Sequence, residues 1–330
     1  MTILSLSNKP LFDFIIWVFM VQGGVSLKGL SKDYRFTEVL DNINLEIFPG
    51  EVFGYIGPNG AGKTTTLKCI IGLIDDYEGE ITIDGNLVNK GHRFNSIGYM
   101  PQNPHFTSWR NVHRVLRIFG RLNGMGGSEL EQRIDEVLHL LGIEQFKTTN
   151  VSKLSGGTLQ KLGMAQAILH KPSLLVLDEP MASLDPESRK VARNIIHDLR
   201  NQGVTVIFSS HILSDVQDIA DRVGIIQNGR MVHVGHMREI KKEMTTTGLV
   251  DVELSINPVI DFNQVPGISA VDSHGHGSFR FKLQEGADMD NVIDELIWKI
   301  INSGGSIRSV IPVTHSLEDI YLRYLAGGKP

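Results

Sequence analysis

The chain has 330 residues, a formal net charge of −5 and 41% hydrophobic residues. That length suggests two domains, the apolar share is ordinary for a folded protein, and the charge offers no overall case for binding nucleic acid. One cysteine, Cys69, leaves neither a disulfide within the chain nor a cysteine-based metal centre, and on the apolar side of a helix it reads as a small core residue.

Leu11 to Val21 is strongly apolar, yet shorter than the roughly 20 residues that span a bilayer. After Lys9 it could pass for the apolar region of a signal peptide, but Gln22-Gly23-Gly24 is a poor cleavage site. Residues 1–24 therefore read as an N-terminal extension. It could lie on a membrane or a partner, pack as an extra segment, or arise from a start placed too early, with Met20 as the later start. The regular pattern begins only near Val25, which favours the last. No other stretch is long and apolar enough for a transmembrane helix.

Val25 to Leu30 alternates as a strand does. Ser31 to Phe36 reads as a polar loop carrying aromatics, Val39 to Ile47 as a second strand, and Pro49-Gly50 as a turn. Glu51 to Ile56 reads as a short buried strand. Gly57-Pro58-Asn59-Gly60-Ala61-Gly62-Lys63-Thr64 follows and fits G-x-x-x-x-G-K-[ST], the phosphate-binding loop of nucleoside triphosphatases. Thr64 to Ile71 reads as the next helix, with Thr65 in its first turn. The glycines let main-chain N–H groups face phosphate oxygens, and the helix N-terminus adds partial positive charge. Lys63 can reach the β- and γ-phosphates, and the Thr64 hydroxyl can bind Mg²⁺. By position alone, Tyr34 is as good a candidate for stacking on an adenine ring as for an ordinary loop aromatic.

Gly79 to Gly85 is a strand ending in Asp-Gly, and Ile97 to Gln102 is a strand running into a loop. Val112 to Leu122 and Ser128 to Leu141 have helical spacing. Ser173 to Pro180 is a continuous apolar strand ending in Asp178 and Glu179, the pattern of a central strand in a parallel sheet. Ligands sit at the carboxyl ends of such strands. Asp178 can therefore hold Mg²⁺, and Glu179 can act as general base on water or orient it. Thr205 to His211 repeats the arrangement, placing His211 where it could meet a γ-phosphate or the attacking water. Val223 to His233 reads as a hairpin turning at Asn228-Gly229.

Leu154-Ser155-Gly156-Gly157-Thr158-Leu159-Gln160-Lys161 precedes the Asp178–Glu179 strand. Its hydroxyl and N–H groups would stand at the head of a helix from about Thr158 onward. With that stretch the set from Val25 to about Arg238 resembles the ATP-binding subunit of an ATP-binding cassette (ABC) transporter. Gly57–Thr64 resembles its Walker A loop, Gln102 its Q-loop glutamine, Leu154–Thr158 its signature and Asp178–Glu179 the end of Walker B. His211 resembles the switch histidine, Asp185 the D-loop aspartate and Tyr34 the adenine-stacking aromatic. Thr158 replaces the signature glutamine, and Lys161 stands where arginine is common.

The resemblance implies an α/β P-loop NTPase cassette over residues 25–240. It would have a mixed sheet core, an antiparallel β subdomain and a helical subdomain at about 103–165. Two cassettes, in a homodimer or with a close paralogue, would meet head to tail, each ATP lying between Lys63's loop on one and Ser155, Gly156, Gly157 and Asp185 on the other. Mg²⁺ would sit with Thr64, Asp178 and Gln102. Closure and hydrolysis, with Glu179, His211, Lys63 and Gln102 as the catalytic set, would drive transmembrane permease subunits from the cytoplasmic face of the membrane. No nucleic-acid partner is expected. Alternatives are a soluble ABC ATPase working on nucleic acid or ribosomes, a non-hydrolysing regulator, and an importer subunit.

Residues 246–330 read as a small α+β domain: strands at Leu249–Leu254, Ser278–Leu283 and Ile307–Val313, with helices at Met289–Ile301 and from Ser316. The tail Leu317-Glu318-Asp319-Ile320-Tyr321-Leu322 resembles that of subunits paired with ABC-2-type exporter permeases. His274 and His276, in Ser-His-Gly-His-Gly, fit a hairpin turn better than a metal site.

Overall fold

The computed structural model of the chain describes residues 23–35, 37–88, 96–245, 248–275, 277–313 and 316–326. Residues 1–22 of the extension, Phe36 and His276 lie outside these. The backbone forms two compact units, Met1–Met237 and Arg238–Pro330.

The first unit opens with β1 (Val25–Tyr34), β2 (Thr37–Ile47), β3 (Val52–Ile56) and α1 (Lys63–Ile70). β4 (Glu78–Ile83), β5 (Asn86–Leu87) and β6 (Ile97–Met100) follow. The helical part holds α2 (Val112–Leu122), α3 (Gly127–Leu140) and α4 (Gly156–Ile168). Then come β7 (Leu174–Asp178), α5 (Pro186–Asn201), β8 (Thr205–Ser210), α6 (Leu213–Ile219), β9 (Arg222–Gln227) and β10 (Arg230–His236). α7 (Met237–Thr245) leads into the second unit's sequence.

β1, β2, β4 and β5 form an antiparallel sheet in the order β2-β1-β4-β5. Here the structure corrects the sequence reading: Ser31 to Tyr34 is strand, not loop. β1 has a partner on each side, with Lys32 opposite Leu40 and Ser31 opposite Glu78. Lys32, 4% exposed, ends against Asp76 at 2.7 Å. Pairing with β2 through Tyr34 and an ion pair from Lys32 to the exposed Asp76 outweigh the polar composition that suggested a loop.

The second sheet has the order β10-β9-β3-β8-β7-β6, parallel except for β10. Every residue of β3, β7 and β8 is buried, as expected for strands covered on both faces. Their carboxyl ends lie side by side, Ile56 opposite Ser210 and Asp178 opposite Ser209. The β9–β10 hairpin turns at Asn228 and Gly229 with φ of 48° and 78°. Among the described residues no helix is long and apolar enough to cross a membrane.

The second unit contains β11 (Leu249–Ile256), β12 (Ile268–Gly275), β13 (Ser278–Leu283), α8 (Met289–Asn302), β14 (Ser306–Val313) and α9 (Leu317–Leu325). Its sheet is antiparallel in the order β12-β13-β11-β14. Val292, Leu296 and Ile300, one helical turn apart on α8, pack with Val250, Val252 and Phe281. β12 escapes the sequence reading because it is an edge strand whose only buried residue is Ile268. His274 is exposed on β12 just before the turn into β13. Ser316 caps α9 reciprocally with Asp319.

Candidate functional site

β3 delivers the chain into the Gly57–Thr64 loop, and two of its glycines are forced by close approach. A Cβ on Gly57 would stand 2.4 Å from the Ile226 carbonyl oxygen. Gly62, at the start of α1, has φ of 108°, and a Cβ there would lie 2.6 Å from Leu40 Cδ2 and 3.0 Å from the Val39 oxygen. Gly62→Ala is therefore expected to lower stability by roughly 1–3 kcal/mol, from backbone strain and overpacking. A denaturant titration checks this, and a variant as stable as its parent would contradict the tight contact.

Lys63 curls back over the loop. Its Nζ donates to the Gly57 oxygen at 2.7 Å and the Pro58 oxygen at 3.1 Å. Burial pulls its pKa below the usual lysine value, and the nearby Glu179 and Asp178 carboxylates oppose that.

The Asp178 carboxylate and the Glu179 main chain are held from β8, the strand between β3 and β7. Ser209 Oγ donates to Asp178 Oδ1 at 2.6 Å, and Thr64 Oγ1 donates to Asp178 Oδ2 at 2.8 Å. Ser209 Oγ also accepts from the Glu179 N–H at 2.8 Å. Sequence reasoning missed Ser209; its signal is a hydroxyl at the end of an apolar strand, and the pairing of β7 with β8 sets it directly opposite Asp178. Glu179 is 7% exposed and has φ of 50°. Its Oε2 lies 3.0 Å from His211 Nδ1, and its carbonyl accepts from Gln160 Nε2 at 3.0 Å.

A cavity of about 440 Å³ opens over the loop, lined by Asn59, Gly60, Gly62, Lys63, Thr64 and Thr65, with Gln102, Glu179 and Val39 around them. Val39 has no local signal in the sequence; the turn of β2 over the loop puts it there. The structure thus gathers the phosphate-loop residues, Gln102 and Glu179 in one place, with Asp178 and His211 in contact with members of that set.

The remaining candidates are not brought to the cavity. Tyr34, 46% exposed, sits at the end of β1, with Lys32 Nζ 4.7 Å from its ring centroid. Ser155 caps α4, accepting from the Thr158 N–H at 3.2 Å, with Thr158 Oγ1 2.9 Å away. This cap starts the helix at Gly156, two residues ahead of the expected Thr158 (158 − 156). Ser155 and Gly156 are exposed, and a Cβ on Gly156 would meet nothing within 4 Å. Asp185 caps α5, its carboxylate accepting from the Ser188 N–H at 2.9 Å and hydroxyl at 2.7 Å. Those bonds hold its pKa below the usual aspartate value.

A family model described as ABC transporter matches residues 40–182, and one described as ATP-binding protein DrrA1-3-like, C-terminal domain, matches residues 235–325. The chain is 33% identical over 301 residues to the uncharacterized ABC transporter ATP-binding protein YxlF of Bacillus subtilis, covering 91% of this chain and 98% of that protein. This chain belongs to the ABC transporter ATP-binding proteins.

As such it is the ATP-binding subunit of a transporter and an ATPase. The bacitracin transport ATP-binding protein BcrA of Bacillus licheniformis is 31% identical over 310 residues, covering 92% of this chain and 98% of that one. Among solved structures, a dimeric post-hydrolysis state of an ATP-binding cassette bound to ADP and Pi aligns with a TM-score of 0.61 at 26% identity. That alignment covers 65% of this chain and 99% of the neighbour. The cassette fold is therefore common to both, and the motifs in this chain lie on the elements described above.

Proposed function

We propose that the cassette binds ATP with its phosphates on the Gly57–Thr65 loop and hydrolyses it in a head-to-tail pair of cassettes. Main-chain N–H groups of the loop and the first turn of α1 receive the phosphates. Lys63 exchanges its bonds to Gly57 and Pro58 for phosphate oxygens. Glu179 takes the proton of the attacking water or orients it, and His211, whose Nδ1 lies 3.0 Å from that carboxylate, meets the γ-phosphate. The hydroxyl of Thr64, the carboxylate of Asp178 and the amide oxygen of Gln102 are hard oxygen donors suited to Mg²⁺. Bound there, the ion would neutralise phosphate charge. Tyr34 would stack on adenine.

The observation that carries the pairing is the placement of Ser155 and Gly156. They are exposed at the head of α4 and absent from the cavity lined by Lys63. They would therefore serve the ATP of a second cassette, with Gly157 and Asp185 at the same junction. Mixing two inactive chains tests this. Lys63→Ala keeps the Ser155 side intact, and Ser155→Arg keeps the loop intact. Mixed pairs should recover one working site of two, giving about a quarter of parental ATPase activity in an equal mixture. No recovery would argue for a site complete within one chain.

The partners we assign are transmembrane permease subunits and a second copy or close paralogue, with the chain peripheral on the cytoplasmic face of the membrane. Residues 25–240 would be the motor and residues 246–330 an accessory domain. Export is the direction supported by the DrrA1-3-like match and by relatives named for bacitracin transport and linearmycin resistance.

A further inference from the structure

Gln160 is a polar side chain on a helix whose neighbouring residues Leu162, Met164 and Ala165 are buried. It is itself only 4% exposed. An amide is buried at a cost unless it is hydrogen-bonded, and this one donates from Nε2 to the main-chain oxygen of Glu179 at 3.0 Å.

Glu179 is where such support is required. Its φ of 50° lies in the left-handed region, which a non-glycine residue keeps only when its surroundings over-determine it. Ser209 Oγ holds its N–H at 2.8 Å, and Gln160 makes the shorter of two bonds to its carbonyl, the other coming from the Ala182 N–H at 3.3 Å. Both polar groups of that residue's main chain are thus clamped. The side chain then leaves the strand end toward His211 Nδ1, 3.0 Å from Oε2.

We infer that Gln160 is a positioning residue for hydrolysis: it fixes the backbone of Glu179 so that the carboxylate faces the cavity, and ties the signature helix α4 to that carboxylate. The inference rests on the reading of Glu179 as the base or water-orienting group. Gln160 lies little more than one helical turn from Ser155. One rigid helix therefore presents Ser155 outward, toward a partner's nucleotide, and Gln160 inward, toward the group acting on its own. A shift of α4 on closure is passed to Glu179 through that bond, so each site registers the occupancy of the other.

Gln160→Met keeps the length and apolar packing and removes the donor. In the purified full-length chain it is expected to leave ATP affinity unchanged and to slow hydrolysis roughly 10- to 100-fold, the cost of a small misplacement of a reacting group. Gln160→Lys, which keeps a donor, should recover part of that loss. Combined with Glu179→Gln, Gln160→Met should cost nothing more, because no carboxylate remains to be placed. Parental turnover in Gln160→Met overturns the inference. So does a further tenfold loss in the double variant, or weakened ATP binding in step with turnover, either of which marks a merely structural role. Parental turnover in Glu179→Gln alone would instead overturn the reading of Glu179, whatever Gln160→Met does.

Discussion

A Lys63→Ala chain is expected to bind ATP about 10- to 100-fold more weakly than its parent. The lysine would make charge-assisted hydrogen bonds to phosphate, which contribute roughly 1.5–3 kcal/mol, and each 1.4 kcal/mol is about tenfold in Kd. Titration with a fluorescent ATP analogue measures the loss. The substitution also strips the Gly57 and Pro58 oxygens of their donor, so thermal unfolding of the same sample must show a folded protein before the affinity is read. Unchanged affinity in a folded variant would sink the assignment of the loop.

Glu179→Gln is expected to separate binding from turnover. The amide is nearly isosteric, can still face His211, and leaves the phosphate loop untouched. It cannot take a proton from water, and general-base contributions run to about 10²–10⁴-fold. Hydrolysis should fall by that order while ATP still binds, and size-exclusion chromatography in ATP should find the closed pair accumulating. Normal turnover would mean that another group activates the water.

What could be read from the sequence was what is local. The glycine loop announces itself because Gly57 and Gly62 have no room for a side chain where they stand, and this need is met within a few residues. Asp178 and Glu179 announce themselves because an apolar strand ends in two carboxylates. What brings them to the loop is not local. β8 lies between β3 and β7, and Ser209 joins Asp178 to Glu179 across that strand order. No periodicity in the sequence states which strands are neighbours. Val39 and Gln160 escaped for the same reason, since each reaches the site from a different element of the fold. The end of β1 was misread because Lys32 and Tyr34 look like loop residues until β2 pairs with both and Asp76 meets the lysine.

Glu179 places two demands on one residue that pull in different directions. Its backbone suits glycine or asparagine, while its chemistry suits a carboxylate. Selection for heat resistance alone would tend to relax the backbone at this position and discard the side chain. A library sorted only by survival of the fold would therefore drift toward chains that capture nucleotide well and do no work with it. A stability screen on this protein should consequently be paired with a turnover assay from its first round.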